Sequence, residues 1–279
     1  MHLSGFFILE QVSSALEEDL NQSMDWTSNL IQPSKLVLAA VRNNEEMVLC
    51  GRDFLNTAFL SCDANAEILW NFNDGDLIAP KNILCTIKGN ARSILTAERT
   101  ALNFVQTLSG TATLVRKYTD KVKSTKVKIL DTRKTIPGLR LAQKYAVTVG
   151  GGYNQRIGLY DGVLIKENHI AACGGITNAL REAFKMTPID IPVQIEIESH
   201  EELIEALDAR AKHILLDNMS IPDIAKCVEI NCGRAELEVS GNISIDNVLE
   251  YAKTGVDRIS IGKLTKNIQA IDLSMRVIE

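Results

Sequence analysis

From residue 126 onward the chain alternates short β-rich runs with amphipathic segments. The runs are VKILD (127–131), GVLIK (162–166), VQIEIE (193–198), HILLD (213–217), ELEVS (ending at Ser240) and RISIG (258–262). Stretches of helical periodicity separate most of them, at 200–210, 221–230 and 244–254. A strand that returns parallel to its predecessor needs a crossover, and a helix is the usual one. The rhythm therefore predicts a parallel α/β sheet. Six strands in roughly 140 residues fall short of the ~200 or more that a complete eight-fold barrel occupies, so a reduced barrel is expected.

In such folds ligands bind beyond the carboxyl ends of the strands. Those ends are polar here: Asp131-Thr132-Arg133-Lys134, then Lys166, then Glu196 and Glu198, then Asp217-Asn218, then Ser240-Gly241-Asn242, then Gly262-Lys263. A single charge at a strand end is equally well a solvated terminus. Arg133, Lys134, Arg156 and Lys166 would converge on one mouth of a chain whose net charge is −5, which points to a ligand with several negative charges, phosphates or a polycarboxylate. Ser240-Gly241 and Ile261-Gly262 follow the last two strands, where backbone N–H groups at tight turns commonly cradle phosphate. Glu196 and Asp217, carboxylates among these cations, fit Mg²⁺ bound together with ligand oxygens, or plain ion pairs with Lys166 or Arg133. The run Gly150-Gly151-Gly152 reads as a loop with room to approach a ligand. His169 reads as an organiser of the loop after Lys166, and Lys263 as facing solvent in preference to adding a phosphate contact.

The balance of 30 basic against 35 acidic residues, with no long basic run, argues against a nucleic-acid partner. No apolar run approaches the ~18 residues of a membrane span. The N-terminus MHLSGFFILEQ carries no basic leader, and the expected location is cytoplasmic. Six cysteines without a C-x-x-C pair read as reduced core thiols.

The first ~110 residues mix both periodicities and read as a small α+β domain. Segments 36–41 and 46–50 are expected as strands around the turn Arg42-Asn43-Asn44, and 82–88 as another strand. A helix is expected from Ala91, interrupted near Ser109-Gly110, with Glu98 inside its apolar stripe and Arg99 on the flank. A buried carboxylate needs a partner or a boundary, so this helix should meet something polar.

The segments TAERTALNFVQTLSGTAT (96–113), DTRKTIPGLR (131–140), GGGYNQRIGLYDGVLIKENHI (150–170), IEIES (195–199), LLDNM (215–219), VSGNI (239–243) and ISIGKLT (259–265) resemble the quinolinate phosphoribosyltransferases. Weaker likenesses occur at 16–28 and 73–84. The resemblance implies an α+β domain over 1–112, rejoined by 266–279, and an incomplete parallel β/α barrel over 113–265. It implies a homodimer whose active sites use both subunits, with quinolinate, 5-phosphoribosyl-1-pyrophosphate and Mg²⁺ as ligands. Carried over by motif, Arg99 of a neighbouring copy, Thr132, Arg133, Gln155, Arg156 and Lys166 would hold quinolinate. Lys134, Glu196 and Asp217 would hold the phosphoribosyl donor, the two carboxylates also Mg²⁺, and Ser240, Gly241, Asn242 and Gly262 its 5-phosphate. Lys134, Lys166, Glu196 and Asp217 are the implied catalytic set.

Two positions depart from the family pattern. Gln155 stands where the family usually has histidine, and an amide donates a hydrogen bond but does not titrate. Asn242 replaces the second glycine of SGG, and asparagine tolerates a left-handed backbone best after glycine. Two other readings remain open at this level: a Schiff-base lyase using Lys134 or Lys166, and a relative that keeps the anion pocket without the transfer chemistry.

Overall fold

The computed structural model describes Met1–Glu279 and divides into two units, 1–114 with 141–150 and 267–279, and 115–140 with 151–266. In the first, α1 (Gly5–Leu20) begins where the Ser4 hydroxyl accepts the Phe7 N–H, and buries Ile8, Val12 and Leu16, one stripe at four-residue spacing. β1 (Leu36–Asn43), β2 (Met47–Val48), α2 (Arg52–Cys62), β3 (Glu67–Trp70), β4 (Leu77–Ile78), β5 (Ile83–Asn90) and α3 (Ala91–Val122) follow. β1 pairs antiparallel with β5, and β5 with β3; Ala39, Val41, Leu84, Ile87, Phe54 and Phe59 pack the core, with Phe54 stacked on Phe104.

Two expectations fail here, each for a definable reason. The hairpin around Arg42-Asn43-Asn44 does not form. β1 runs through to Asn43, and β2 pairs with β4 instead. Asn43 is a buried bracket: its Nδ2 donates to the Glu45 and Ala79 carbonyls at 2.9 and 2.8 Å, and its Oδ1 accepts the Asn82 N–H at 2.9 Å. Nor does the helix break at Ser109-Gly110, since α3 is continuous for 32 residues. A Cβ on Gly110 would strike the Gln269 carbonyl, so this glycine serves a close approach of the C-terminal segment. Ser109 bonds both backbone groups of Cys50, and Thr113 accepts the Val48 N–H at 2.8 Å.

β6 (Lys128–Leu130) opens the second unit. After it α4 (Arg140–Val149) falls almost wholly in the first, apart from its opening Arg140. Then come β7 (Val163–Ile165), α5 (Glu167–Cys173), α6 (Ile176–Met186), β8 (Val193–Ile197), α7 (His200–Asp208), β9 (His213–Asp217), α8 (Ile221–Asn231), β10 (Glu236–Ser240), α9 (Val248–Lys253), β11 (Arg258–Ser260) and α10 (Lys263–Lys266). The six strands form one parallel sheet in the order β6-β11-β10-β9-β8-β7, an incomplete β/α barrel. Caps set the crossovers: Ser199 accepts the Glu202 N–H to open α7, and Ser220 with Pro222 opens α8. α9 is shorter than expected because residues 244–247 form a turn closed by the Asn247 carboxamide. β12 (Leu273–Val277) pairs antiparallel with β1 in the first unit.

Gly151, at φ +88°, ends the turn after α4, a conformation that favours glycine. The six cysteines are free, but the expectation of core thiols holds only for Cys50, Cys85 and Cys227. Cys62 is half-buried, Cys173 ends α5 in the open, and Cys232 is an exposed left-handed cap. No helix is long and apolar enough to cross a membrane.

Candidate active site

A cavity of about 460 Å³ opens at the carboxyl ends of the barrel strands. Every residue expected at the site lines it except Arg99: Thr132, Arg133, Lys134, Gln155, Arg156, Lys166, Glu196, Asp217, Ser240, Gly241, Asn242 and Gly262. Arg99 is exposed on α3, beside half-buried Glu98, whose carboxyl burial pushes up and the Arg99 charge pulls back. The Gly150-Gly151-Gly152 loop, expected near a ligand, is not among the lining residues. Sequence reasoning missed Glu238, Ser260 and Lys266 and gave no role to Asn218, which it read at a strand end; Lys263 is exposed as expected and also lines the cavity.

Buried Asp131 builds one wall. Its Oδ1 accepts the Gln155 N–H at 2.9 Å and its Oδ2 the Asn154 amide at 2.7 Å, while Tyr153 bridges to Leu130 as an added rung of the sheet. This tether brings Gln155 and Arg156 to the mouth next to the DTRKT turn, where Thr132 accepts the Lys134 N–H and Thr265 donates to the Lys134 carbonyl. Arg156 donates to the Gly162 carbonyl at 3.0 Å. Its pKa is lowered, first by burial and then by repulsion from Arg133, with Asp161 partly offsetting. The Arg133 Nε is buried without a hydrogen-bond partner. Two guanidiniums held close against their own repulsion, one of them unsatisfied, form a site that an anion completes.

The opposite wall carries the carboxylates. Glu196, 9% exposed, accepts from Lys166 Nζ at 3.0 Å. That contact occupies Lys166 Nζ and argues against a free nucleophilic amine. Asp217 accepts from the Ser240 hydroxyl at 2.5 Å and from the Asn218 amide at 2.7 Å. His169 Nδ1 accepts the Lys166 N–H at 3.0 Å, so it caps α5 as expected, and it is not among the residues lining the cavity.

The turns after the last strands are held open by small residues. Gly241 has φ +97°, and a Cβ there would strike the Asn218 side chain; Asn242 follows in the left-handed region at φ +52°. A Cβ on Gly262 would press on the Lys134 side chain at 3.1 Å. Glu196 and Asp217 do not make a protein-only metal cage, and no cluster of three or more metal-ligating side chains exists in the chain. Two carboxylates beside these glycine turns do fit Mg²⁺, which takes one or two carboxylates and draws its other ligands from phosphate oxygens and water.

Fold and cavity together define a barrel protein built to take a multiply anionic small molecule at the carboxyl ends of its strands. Family models agree on which one: "Quinolinate phosphoribosyl transferase, N-terminal domain" matches residues 25–109 and the corresponding C-terminal domain matches 111–276. The chain belongs to the quinolinate phosphoribosyl transferase family. It is 39% identical to the nicotinate-nucleotide pyrophosphorylase [carboxylating] of Mycobacterium leprae, covering 95% of each chain, and 37% identical to a probable counterpart from Bacillus subtilis, covering 99% of this chain and 92% of that one. The solved structure of the Francisella tularensis nicotinate-nucleotide pyrophosphorylase is 46% identical and superposes with a TM-score of 0.96 over 99% of this chain and 98% of that one.

Proposed function

We propose that the chain transfers phosphoribosyl from 5-phosphoribosyl-1-pyrophosphate to quinolinate with loss of CO₂, giving nicotinate mononucleotide and pyrophosphate. The observation that carries this reading is the Arg133–Arg156 pair, the Nε of one buried without a partner and the other depressed by burial and then by its neighbour, in a cavity lined also by Lys134, Lys166, Lys263 and Lys266. A dicarboxylate and a pyrophosphorylated sugar phosphate supply the charge that such a cavity calls for. The names of its relatives refer to the same chemistry.

On this reading Arg133, Arg156 and Lys166 orient quinolinate by its carboxylates, with Thr132 and Gln155 beside them. The Ser240-Gly241-Asn242 and Gly262 turns take the 5-phosphate on backbone N–H groups. Positioning the pyridine nitrogen in line with the anomeric carbon supplies much of the rate, since there is little covalent work for the protein to do. Glu196 and Asp217 stabilise positive charge developing on the sugar, and Lys134 neutralises the departing pyrophosphate. Glu196 and Asp217 would also hold Mg²⁺, which when bound adds charge neutralisation at the pyrophosphate oxygens. The ring nitrogen, once alkylated, is cationic, and the adjacent ring carbon then releases its carboxyl group as CO₂, the electron pair staying beside the pyridinium charge.

A homodimer with Arg99 contributed across the interface and a cytoplasmic location belong to the same proposal. Exposed Arg99 is available to a second copy. Mixing Arg99→Ala with Lys166→Ala subunits should restore activity that neither has alone, because one hybrid site in each heterodimer is intact; no recovery in demonstrated heterodimers would refute the shared site. The reaction itself is tested by giving the purified chain quinolinate, the phosphoribosyl donor and Mg²⁺, with nicotinate as the control acceptor. Equal release of nicotinate mononucleotide and CO₂ from quinolinate, and no product from nicotinate, is the expected result. Tight quinolinate binding with no turnover would overturn it.

A further inference from the structure

The proposed reaction puts a hydrogen where CO₂ leaves, so one proton must reach the ring carbon in every turnover. We propose that Glu238, a residue absent from the site expected from sequence, is the acid that delivers it; this rests on the reaction proposed above.

Glu238 has no exposed surface and yet lines the cavity. It points to the barrel interior two residues before Ser240, so it lies one layer, about 6–7 Å, deeper than the proposed phosphate cradle. Its surroundings tie it to the quinolinate side of the cavity. Gln155 Nε2 donates to Gln194 Oε1 at 2.7 Å, and Gln194 Nε2 donates in turn to Glu238 Oε2 at 3.0 Å. The other oxygen, Oε1, is buried with no hydrogen-bond partner. A native buried oxygen left unsatisfied marks a place where something else is meant to bind. The Glu196 and Asp217 carboxylates are engaged by Lys166, Ser240 and Asn218.

The charged state would be costly for Glu238. The opposing residues are Leu215 on β9, which is apolar, and Arg258 on β11, which pairs with Glu236 through a terminal nitrogen and whose buried Nε has no hydrogen-bond partner. Burial pushes the carboxyl up. The hydrogen bond from Gln194, the nearby polar groups of Ser260 and Gln155 and the field of Arg258 pull it back only in part. Burial thus favours the neutral acid at a wall where a substrate carboxylate must enter, which lessens repulsion and leaves a transferable proton. Gln155, by contrast, has its amide in this chain of bonds and carries no titrating proton.

The step balances. The ring C–CO₂ bond breaks and its electron pair stays on the carbon. The proton of Glu238 moves to that carbon, and the resulting carboxylate regains a proton from water after product leaves. Without the proton, the electron pair recaptures CO₂.

Glu238→Gln tests this, because glutamine still accepts the Gln194 N–H but has no proton to give. In single turnovers, pyrophosphate release should stay within about threefold of wild type. CO₂ and nicotinate mononucleotide should appear at least tenfold more slowly, and the alkaline decline of the wild-type CO₂ step should be absent from the variant. Equal slowing of pyrophosphate and CO₂, or no slowing of either, would overturn the assignment and leave Glu238 as packing. Should the variant not fold, the wild-type CO₂ step alone decides: a fall with rising pH supports the acid, and a flat profile refutes it. A wild-type chain that releases no pyrophosphate from quinolinate and the donor would instead fail the proposed reaction itself.

Discussion

Asn43 in the antiparallel unit and Glu238 in the parallel one are both polar side chains with no exposed surface, and they are treated in opposite ways. Asn43 is saturated, with both amide hydrogens and its oxygen committed to the backbone groups of Glu45, Ala79 and Asn82. Asp74 in the same unit is similar, accepting the Gly51 and Arg52 N–H groups and the Tyr145 hydroxyl as the cap of α2. Glu238 keeps one oxygen unpaired, and so does Arg133 its Nε. A polar group whose bonds are all made inside the protein holds the fold together. One left short at a cavity wall is waiting for a ligand, and the two kinds should answer differently to mutation.

The largest contrast is expected from the arginines. Arg133→Ala and Arg156→Ala should each lower kcat/KM by roughly 100- to 1,000-fold, the usual loss when a charge-assisted contact to a bound anion is removed. Arg133→Ala should leave the melting temperature unchanged. Asn43→Ala should do the reverse, destabilising by about 2–4 kcal/mol through three stranded backbone groups, while activity per folded molecule stays within twofold. Equilibrium unfolding alongside steady-state kinetics separates the two effects, and a large activity loss in folded Asn43→Ala would break the comparison. Gly110→Ala comes next. The new methyl group meets the Gln269 backbone, and about 1–3 kcal/mol of overpacking should appear in the same unfolding measurement, again without a change in KM.

That glycine also shows where reading from sequence stops. A glycine inside a helical pattern can mark a break or a close approach, and the one-dimensional pattern is the same for both. Only the C-terminal segment lying against α3 decides it. The six barrel strands and the polar mouth were legible because parallel sheets leave a strong rhythm and because charges clustered at the strand ends. Glu238 was not, since the alternation in ELEVS is also that of a strand with one face in water. In a barrel the second face is the interior, so the Glu238 carboxylate is buried. Lys266 was hidden in the short turn of α10, which carries too little periodicity to show its direction. The failed hairpin at Asn43 has the same origin: asparagine suits turns, and the segments that bury this one lie far along the chain.

The smallest effect sharpens the same contrast. The Glu238 carboxyl is raised above its ordinary value of about 4.5 by burial, so between that value and the raised one the folded chain binds more protons than the unfolded chain. Stability therefore falls as pH rises through this window. Glu238→Gln lacks this loss, and its melting temperature should gain on wild type as pH increases from about 4.5, a difference read from paired melts across pH. A constant difference at every pH would mean that Glu238 is charged in the resting protein.

The most direct test of the account is the melting temperature of wild type and Arg133→Ala with and without saturating quinolinate. Binding to the folded state alone raises the transition. The account predicts equal melting temperatures without ligand, a clear rise for wild type with quinolinate, and none for the variant. A variant that melts lower on its own, yet rises with quinolinate as far as wild type does, would show that Arg133 serves the fold and that the ligand is held elsewhere.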